Sequence, residues 1–386
     1  MVLMALDHTR DFVHTDALHF DPTDLTHTTP ALFFTRWVTH FCAPIFVFLA
    51  GVSACLQRAR GASERELSRF LLTRGVWLIV LEFTVIRCGM WFNVDYAFLG
   101  VMQVIWAIGV SMIVLALLVH LPIRVTAAFG VGMIVFHNLF DGVRVAGWQG
   151  PGSPAPDPLA RLWIVLHQPG DMFPIAGDSG PVVWVMYPLI PWIGVMAAGY
   201  VFGQVFTRDA AERRRILVRT GLAMVGAFVL LRSVNLYGDQ AWWSIQDDAM
   251  FSVLSFVNAT KYPPSLLFLL MTLGPALLAL AWLDGRTGGV AGRPFVLFGR
   301  VPLFFYILQW PLIHLAAIGL AGFAGKETAY LFRHPPELFT TAPPDAGFPL
   351  PVVYAVWLAV VLVLYVLCRW FAGIKRRSRS PILRYL

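Results

Sequence analysis

Apolar runs of hydrocarbon length recur along this chain, and they leave few folds open. Crossing a bilayer takes about 20 predominantly apolar residues in a helix. Residues 31–56, 74–93, 97–121, 124–140, 181–206, 214–233, 264–283, 295–321 and 351–372 read as such spans. A shorter run at 1–13 brings the expectation to roughly ten. Hydrocarbon offers no water to satisfy backbone groups, so each span must be helical. The expected fold class is therefore all-α, a polytopic integral membrane helical bundle forming one domain over 1–386. Composition agrees, with 58% of the 386 residues hydrophobic and 13% charged, against about 25% charged in soluble domains. Few residues precede Asp7, so the first helix is expected to be truncated at its start, and no signal peptide is visible.

Charge placement sets the expected orientation. Arg58, Arg60, Arg65, Arg69 and Arg74 fill the connection at 57–74, and Arg208, Arg213, Arg214, Arg215 and Arg219 fill 207–219. Arg286, Arg293 and Arg300 follow, then a basic tail at 373–386. By the positive-inside rule these lie on the cytoplasmic side with both termini. The loops 14–30, 141–180, 234–263 and 322–350 hold few Lys or Arg and are expected outside. The apolar patches Leu162–Leu166 and Ala241–Ser244 within them suit re-entrant or interfacial helices, or aromatic contact with lipid headgroups. A net charge of +7 that alternates with spans instead of forming one face does not suggest nucleic acid. Cys42, Cys55, Cys88 and Cys368 sit in apolar runs without paired spacing, which fits small buried hydrophobes and not a disulfide or zinc framework.

Titratable residues gather at the start of the chain. Five of the ten histidines, His8, His14, His19, His27 and His40, fall within residues 8–40, with Asp7, Asp11, Asp16, Asp21 and Asp24 among them. Imidazole exchanges protons near neutrality, which suits a general base. A solvated loop histidine bonded to a nearby Asp is the plainer alternative for His14, His19 and His27. Arg36 and His40 are four apart on one helical face, and Pro44 is expected to kink their helix and free a carbonyl. Glu82 and Arg87 are five apart, off a common face, so partners on other helices are expected. Further polar groups, Asn93, Gln103, His137, Asn138, Asp141, Asn258, Lys261, Gln309 and His314, suggest a buried aqueous pocket. No HExxH, paired-Cys or Glu-x-x-His pattern occurs, and the expected metal content is none. Phosphate-binding, dinucleotide-binding and GxSxG signatures are also absent.

Six segments then carry a resemblance: LMALDHTRDF, THFCAPIFVFLAG, QVIWAIGVSMIVLA, YPLIPWIGVMAAGYVFG, KYPPSLLFLLMTLGPAL and GRVPLFFYILQWPLIHL. Together they resemble a bacterial membrane family related to the catalytic domain of heparan-alpha-glucosaminide N-acetyltransferase. Likeness to the lysosomal enzyme itself lies mainly in the first two helices and their loop. The resemblance implies transfer of an acetyl group from cytoplasmic acetyl-CoA to a sugar or glycoconjugate acceptor across a bacterial inner membrane. By position it implies that the catalytic histidine is His19, with His14 the alternative, and that His8 and His40 stand where the enzyme has an asparagine and an acidic residue. An Asp-x-Leu-Arg-Gly motif is missing, and Gln309 stands where histidine is expected.

The roles that follow are expectations. His19, His40 and His8 form the catalytic set, and Asp7, Arg10, Arg36, Asn258, Lys261 and His314 contact the acceptor. Asn258 or Lys261 could stabilise the oxyanion, and Arg58, Arg60 and Arg74 could meet the CoA phosphates. The lipid bilayer is a further partner, and a homodimer is compatible. A transporter or flippase for a small polar or lipid-linked solute, or a non-catalytic scaffold, are the alternative readings.

Overall fold

The computed structural model describes residues 1–286, 289 and 292–378. The basic tail beyond 378 and part of the 284–300 connection therefore lie outside the described residues. In chain order the elements are α1 (Val2–Val13), α2 (Pro30–Ala59), α3 (Glu64–Leu81), α4 (Arg87–Trp91), β1 (Phe98–Met102), α5 (Val104–Leu118) and α6 (Ile123–Phe140). Next come α7 (Pro158–Leu166), β2 (Met172–Pro174), β3 (Val182–Val185), α8 (Leu189–Thr207), α9 (Ala210–Val234), α10 (Ala249–Val257) and α11 (Leu266–Leu283). Last are α12 (Arg293–Arg300), α13 (Pro302–Phe323) and, after a short helix at Pro335–Thr341, α14 (Leu350–Arg377). Seven of these, α2, α6, α8, α9, α11, α13 and α14, are long and apolar enough to cross a membrane. The chain is a polytopic helical membrane protein.

Five of the roughly ten expected spans differ from that reading. The run 74–93 is divided by a π-helical turn at Glu82–Ile86, and 181–206 opens as the strand Val182–Val185 before its helix begins at Leu189. The other three differ for local reasons. The run 97–121 is not one helix: Gly100 takes φ +152°, Phe98–Met102 pairs as a strand, and the helix begins only at Val104. The run 295–321 breaks at Val301, whose φ of −134° and ψ of 51° precede Pro302 at the first turn of α13. A proline ring excludes the α conformation from the residue before it and suits the first helical position. At 1–13 the 12-residue α1 reaches about 18 Å, short of the roughly 30 Å hydrocarbon core.

Pro44 acts as expected on α2. The helix tightens into a 3₁₀ turn at Val38–Phe41 and resumes as α from Cys42, just ahead of the proline that cannot donate back to residue 40.

By its packing the chain forms two compact units. One comprises Met1–Cys42, Thr84–Val94 and Gly285–Leu386. Here α1 packs on α13 and α14, burying Leu6 and Val13 with Ala317, Tyr330, Leu331, Ala346 and Val353. The end of α1 is fastened by the segment before α14. Phe348 N–H donates to Val13 O at 2.8 Å, Thr15 N–H donates to Phe348 O at 3.1 Å, and Lys326 Nζ holds the carbonyls of Asp345 and Gly347. Gly347, at φ +80°, lies where a Cβ would come within 2.7 Å of the His14 and Thr15 backbone.

The other unit comprises Ala43–Phe83 and Asp95–Asp284. Its helix pairs approach through reciprocal glycines. A Cβ on Gly75 of α3 would sit 2.5 Å from Gly109 O of α5, and one on Gly109 would sit 2.7 Å from Gly75 O. Gly51 of α2 and Gly199 of α8 meet each other's helices in the same way, as do Gly130 of α6 and Gly194 of α8. Between apolar helices in lipid, small residues that let backbones approach are the main source of packing energy. A three-stranded sheet in the order β1-β3-β2, parallel between β1 and β3, adds a small β element to a predominantly helical chain.

The two apolar patches of the long loops differ. Leu162–Leu166 lies in α7, whose first turn is capped by Asp157. Ala241–Ser244 is not helical, which is against the first of the two expected alternatives, the interfacial helix. It is held by Arg232 donating to Ala241 O and Asn235 donating to Trp243 O, with Trp242 exposed.

Candidate functional site

The DHTRD segment of α1 places Asp7, Arg10 and Asp11 on one side, because residues three and four apart lie one above the other. Asp7 is buried and bound twice. Arg10 Nη2 approaches its Oδ1 at 3.1 Å, and Arg36 Nη1 of α2 reaches its Oδ2 at 2.5 Å. Arg10 also pairs with Asp11. Asp7 and the more exposed Asp11 thus pair with two guanidinium groups that Asp21 also senses, so that opposite charges offset the cost of burial.

Arg10 retains capacity: it is 3% exposed, and its Nε and Nη1 have no hydrogen-bond partner among the described residues. Gln309 of α13 is fully buried with both amide atoms in the same condition. A polar group sealed from water without a partner costs about 1–3 kcal/mol, so both side chains hold unused hydrogen-bonding capacity.

His8 adjoins this network. Its ring lies 3.8 Å, centroid to centroid, from Trp310, the neighbour of Gln309, and its Nδ1 is 3.9 Å from Asp11 Oδ2. The side chain is 13% exposed, with Nδ1 buried. His40 is buried in the 3₁₀ turn that packs on α1. His314 is fully buried, stacked on Phe92 at 4.3 Å and near Phe12 at 5.1 Å.

The loop histidines divide into different environments. His14 is buried and accepts from Asp16 N–H at 3.2 Å through Nδ1. Burial pushes its pKa below the usual 6.5, opposed by nearby Asp16 and reinforced by Arg10. His19 is exposed in the following turn, its backbone N–H donating to Asp16 O. His27 is exposed and pairs with Asp24 at 3.0 Å. Hydrogen bonds from Thr26 and His27 hold the Asp24 carboxyl down at about 2.

Asn258 and Lys261 belong to the other unit, where they help fasten a loop. Asn258 O accepts from Arg232 Nη2 at 2.8 Å, and Lys261 Nζ lies 5.1 Å over the Tyr262 ring. Buried Arg232 also holds the carbonyls of Ala241, Ser255 and Phe256, while Asp239 takes Thr260 and Ser265. Arg58 is exposed and paired with Glu64 at 3.1 Å; Arg60 is exposed in the same turn, and Arg74 lies ten residues along α3 from Glu64, about 15 Å away by helical rise.

Glu82, at the start of a π-helical turn, accepts from Trp106 N–H of α5 at 3.2 Å, so its partner is on another helix as expected. Arg87 differs: it donates to the backbone and side chain of Asn93, just beyond its own helix.

The catalytic family model described as Heparan-alpha-glucosaminide N-acetyltransferase, catalytic, matches residues 1–237. The chain belongs to that family. No curated protein matches it. Membership points to an acyltransferase-type membrane enzyme, and the match includes α1, Arg36 and all five N-terminal histidines. Sequence reasoning did not join His137 and Asp141 to His167. These three offer ligand atoms all within 4.8 Å of one another. The i,i+4 spacing of His137 and Asp141 was the available signal; His167 lies across a long loop.

Proposed function

We propose that the protein is a transmembrane acetyltransferase that moves an acetyl group from acetyl-CoA to the amine or hydroxyl of a sugar-type acceptor, in a bacterial inner membrane. The observation that carries the site assignment is the buried Asp7–Arg10–Arg36 network with the largely buried His8 beside it. His8 acts as general base, and Asp11 favours the imidazolium that forms. The acceptor nitrogen or oxygen attacks the thioester carbonyl, a C–N or C–O bond forms, the C–S bond breaks and CoA leaves as thiol. The acceptor's proton passes to His8, which returns it to the departing thiolate.

Arg10 replaces Asn258 and Lys261 as the proposed oxyanion donor, because its Nε and Nη1 are buried and uncommitted. Removing one such donor costs about 10²–10³ in turnover. Arg58, Arg60 and Arg74 remain the proposed contacts for CoA phosphates, and Asp7 and Arg36 position Arg10. His19, exposed near the same helix end, is the proposed contact for an incoming acceptor.

The test is acetyl-CoA turnover by detergent-purified protein, followed as free CoA with a panel of amino sugars. His8→Ala and Arg10→Met are expected to abolish acceptor-dependent release, while His27→Ala leaves it intact. Absence of acetyl-CoA binding or release in the folded wild type overturns the reading. Full activity in His8→Ala, with loss in His14→Ala or His19→Ala, moves the base to that residue.

A further inference from the structure

His137 in the last turn of α6, Asp141 just beyond it and His167 at the end of α7 converge within one unit, from segments about 30 residues apart. His137 Nδ1 lies 3.3 Å from His167 Nε2, and His167 Nε2 lies 3.7 Å from Asp141 Oδ1. Two nitrogens each about 2.0–2.1 Å from a tetrahedral zinc ion stand about 3.3–3.4 Å apart, and a nitrogen–oxygen edge is similar. Both histidines are almost fully buried, 1% and 3% exposed.

The surroundings are those of a metal's outer shell. Asp141 Oδ2 accepts from Asn138 Nδ2 at 2.8 Å, and Gln240 Nε2 donates to Oδ1 at 3.3 Å, which fixes the carboxylate plane. Trp163 stacks on the His167 ring at 5.4 Å, with Phe140 nearby at 6.4 Å. Such partners orient ligands and tune affinity. Asp141 also lines a cleft of about 420 Å³ with Asn138, Tyr237, Asp239, Gln240 and Trp242, so one ligand of the cluster faces an opening.

We propose that His137, Asp141 and His167 bind one divalent first-row transition cation, of the zinc type, with its fourth position left for water or an anion. Imidazole nitrogens with one carboxylate select such a cation over Mg²⁺ or Ca²⁺, which prefer all-oxygen shells. The site is separate from the residues assigned to acyl transfer and stands whether or not that assignment does.

The experiment uses untagged full-length protein in detergent, stripped with a chelator and titrated with Zn²⁺, Co²⁺ and Mg²⁺ by calorimetry and metal analysis. Wild type is expected to take up about one Zn²⁺ or Co²⁺ per chain, with the visible spectrum of four-coordinate Co²⁺, and no Mg²⁺. His137→Gln, His167→Gln and Asp141→Asn should each weaken binding by at least about tenfold, and Asn138→Ala by about tenfold. Size-exclusion and circular dichroism of the metal-free proteins identify any variant that fails to fold. Asp141→Asn, at the partly exposed ligand, is the variant least exposed to that failure. Absence of stoichiometric uptake by folded wild type overturns the proposal. So does uptake unchanged in all three ligand variants, which would move the cation to another site.

Discussion

Replacing Asp7 by alanine is predicted to be among the most damaging single changes in this chain, and the structure says by how much. Asp7 is ion-paired with both Arg10 and Arg36, all three buried. Its removal leaves both guanidinium groups to Asp11, which is 46% exposed at the side chain, and to Asp21, whose carboxyl Arg36 and Arg10 help hold down. Breaking a buried pair by deleting one partner costs about 3–5 kcal/mol, or roughly two to three and a half orders of magnitude in the folding equilibrium. Asp11→Ala, at the solvated edge, should cost no more than about 1 kcal/mol. The assay is unfolding of purified protein in mixed micelles, with the double variant Asp7→Ala/Arg36→Met as the decisive arm. That variant removes one charge of each sign and should recover part of the loss. If the double variant is no more stable than Asp7→Ala, or if Asp11→Ala matches Asp7→Ala, the ion-network argument is wrong.

Three further expectations rest on other parts of the fold. Gly75→Val drives side-chain atoms into the Gly109 carbonyl, which lies 2.5 Å from where a Cβ would sit, and should destabilise by about 1–3 kcal/mol; Gly132→Ala, with open space around it, should not, and equal unfolding midpoints would refute the close-packing account. His14 has its pKa lowered by burial, so the folded state binds fewer protons than the unfolded one. The stability held above pH 6.5 is lost as pH falls from there through the depressed folded value, and His14→Gln should flatten that acid limb of the midpoint-against-pH curve; an unchanged limb would show another group responsible. Gln309→Met removes a buried amide whose two polar atoms have no partner among the described residues, and should leave stability unchanged or raised by about 1–3 kcal/mol; a loss above about 1 kcal/mol would mean the amide is satisfied in the folded protein.

What the sequence made legible follows from the range over which each signal acts. Hydropathy found the long helices, because a span is a local property of about 20 residues. Pro302 also carried a readable break: the residue before a proline avoids the helical region, and Val301 does so. Gly100 carried a weaker one, since a glycine can continue a helix as well as end it. Within α1 the Asp7–Arg10 contact was readable from i,i+3 spacing, whereas its partner Arg36 was not, because spacing gives a side chain's direction and not the identity of the facing helix. The same limit explains His137, Asp141 and His167. Two of them share a helical face, but His167 is brought in by α7, a nine-residue helix in a loop whose course depends on the sheet beyond it. It also applies to Asn258, whose backbone carbonyl is held by Arg232 from a distant part of the chain.

Polar residues in a membrane chain serve two purposes, and hydropathy does not separate them. Arg232 binds four backbone carbonyls, and Arg87 binds an asparagine through backbone and side chain; both answer the demand that buried backbone groups be satisfied. Arg10 is as buried as these but leaves Nε and Nη1 uncommitted. Hydrogen-bonding capacity left unused inside a packed unit therefore discriminates a site from a brace better than charge or burial does. By that measure the N-terminal helix, with Arg10 beside His8, is where chemistry is to be sought first.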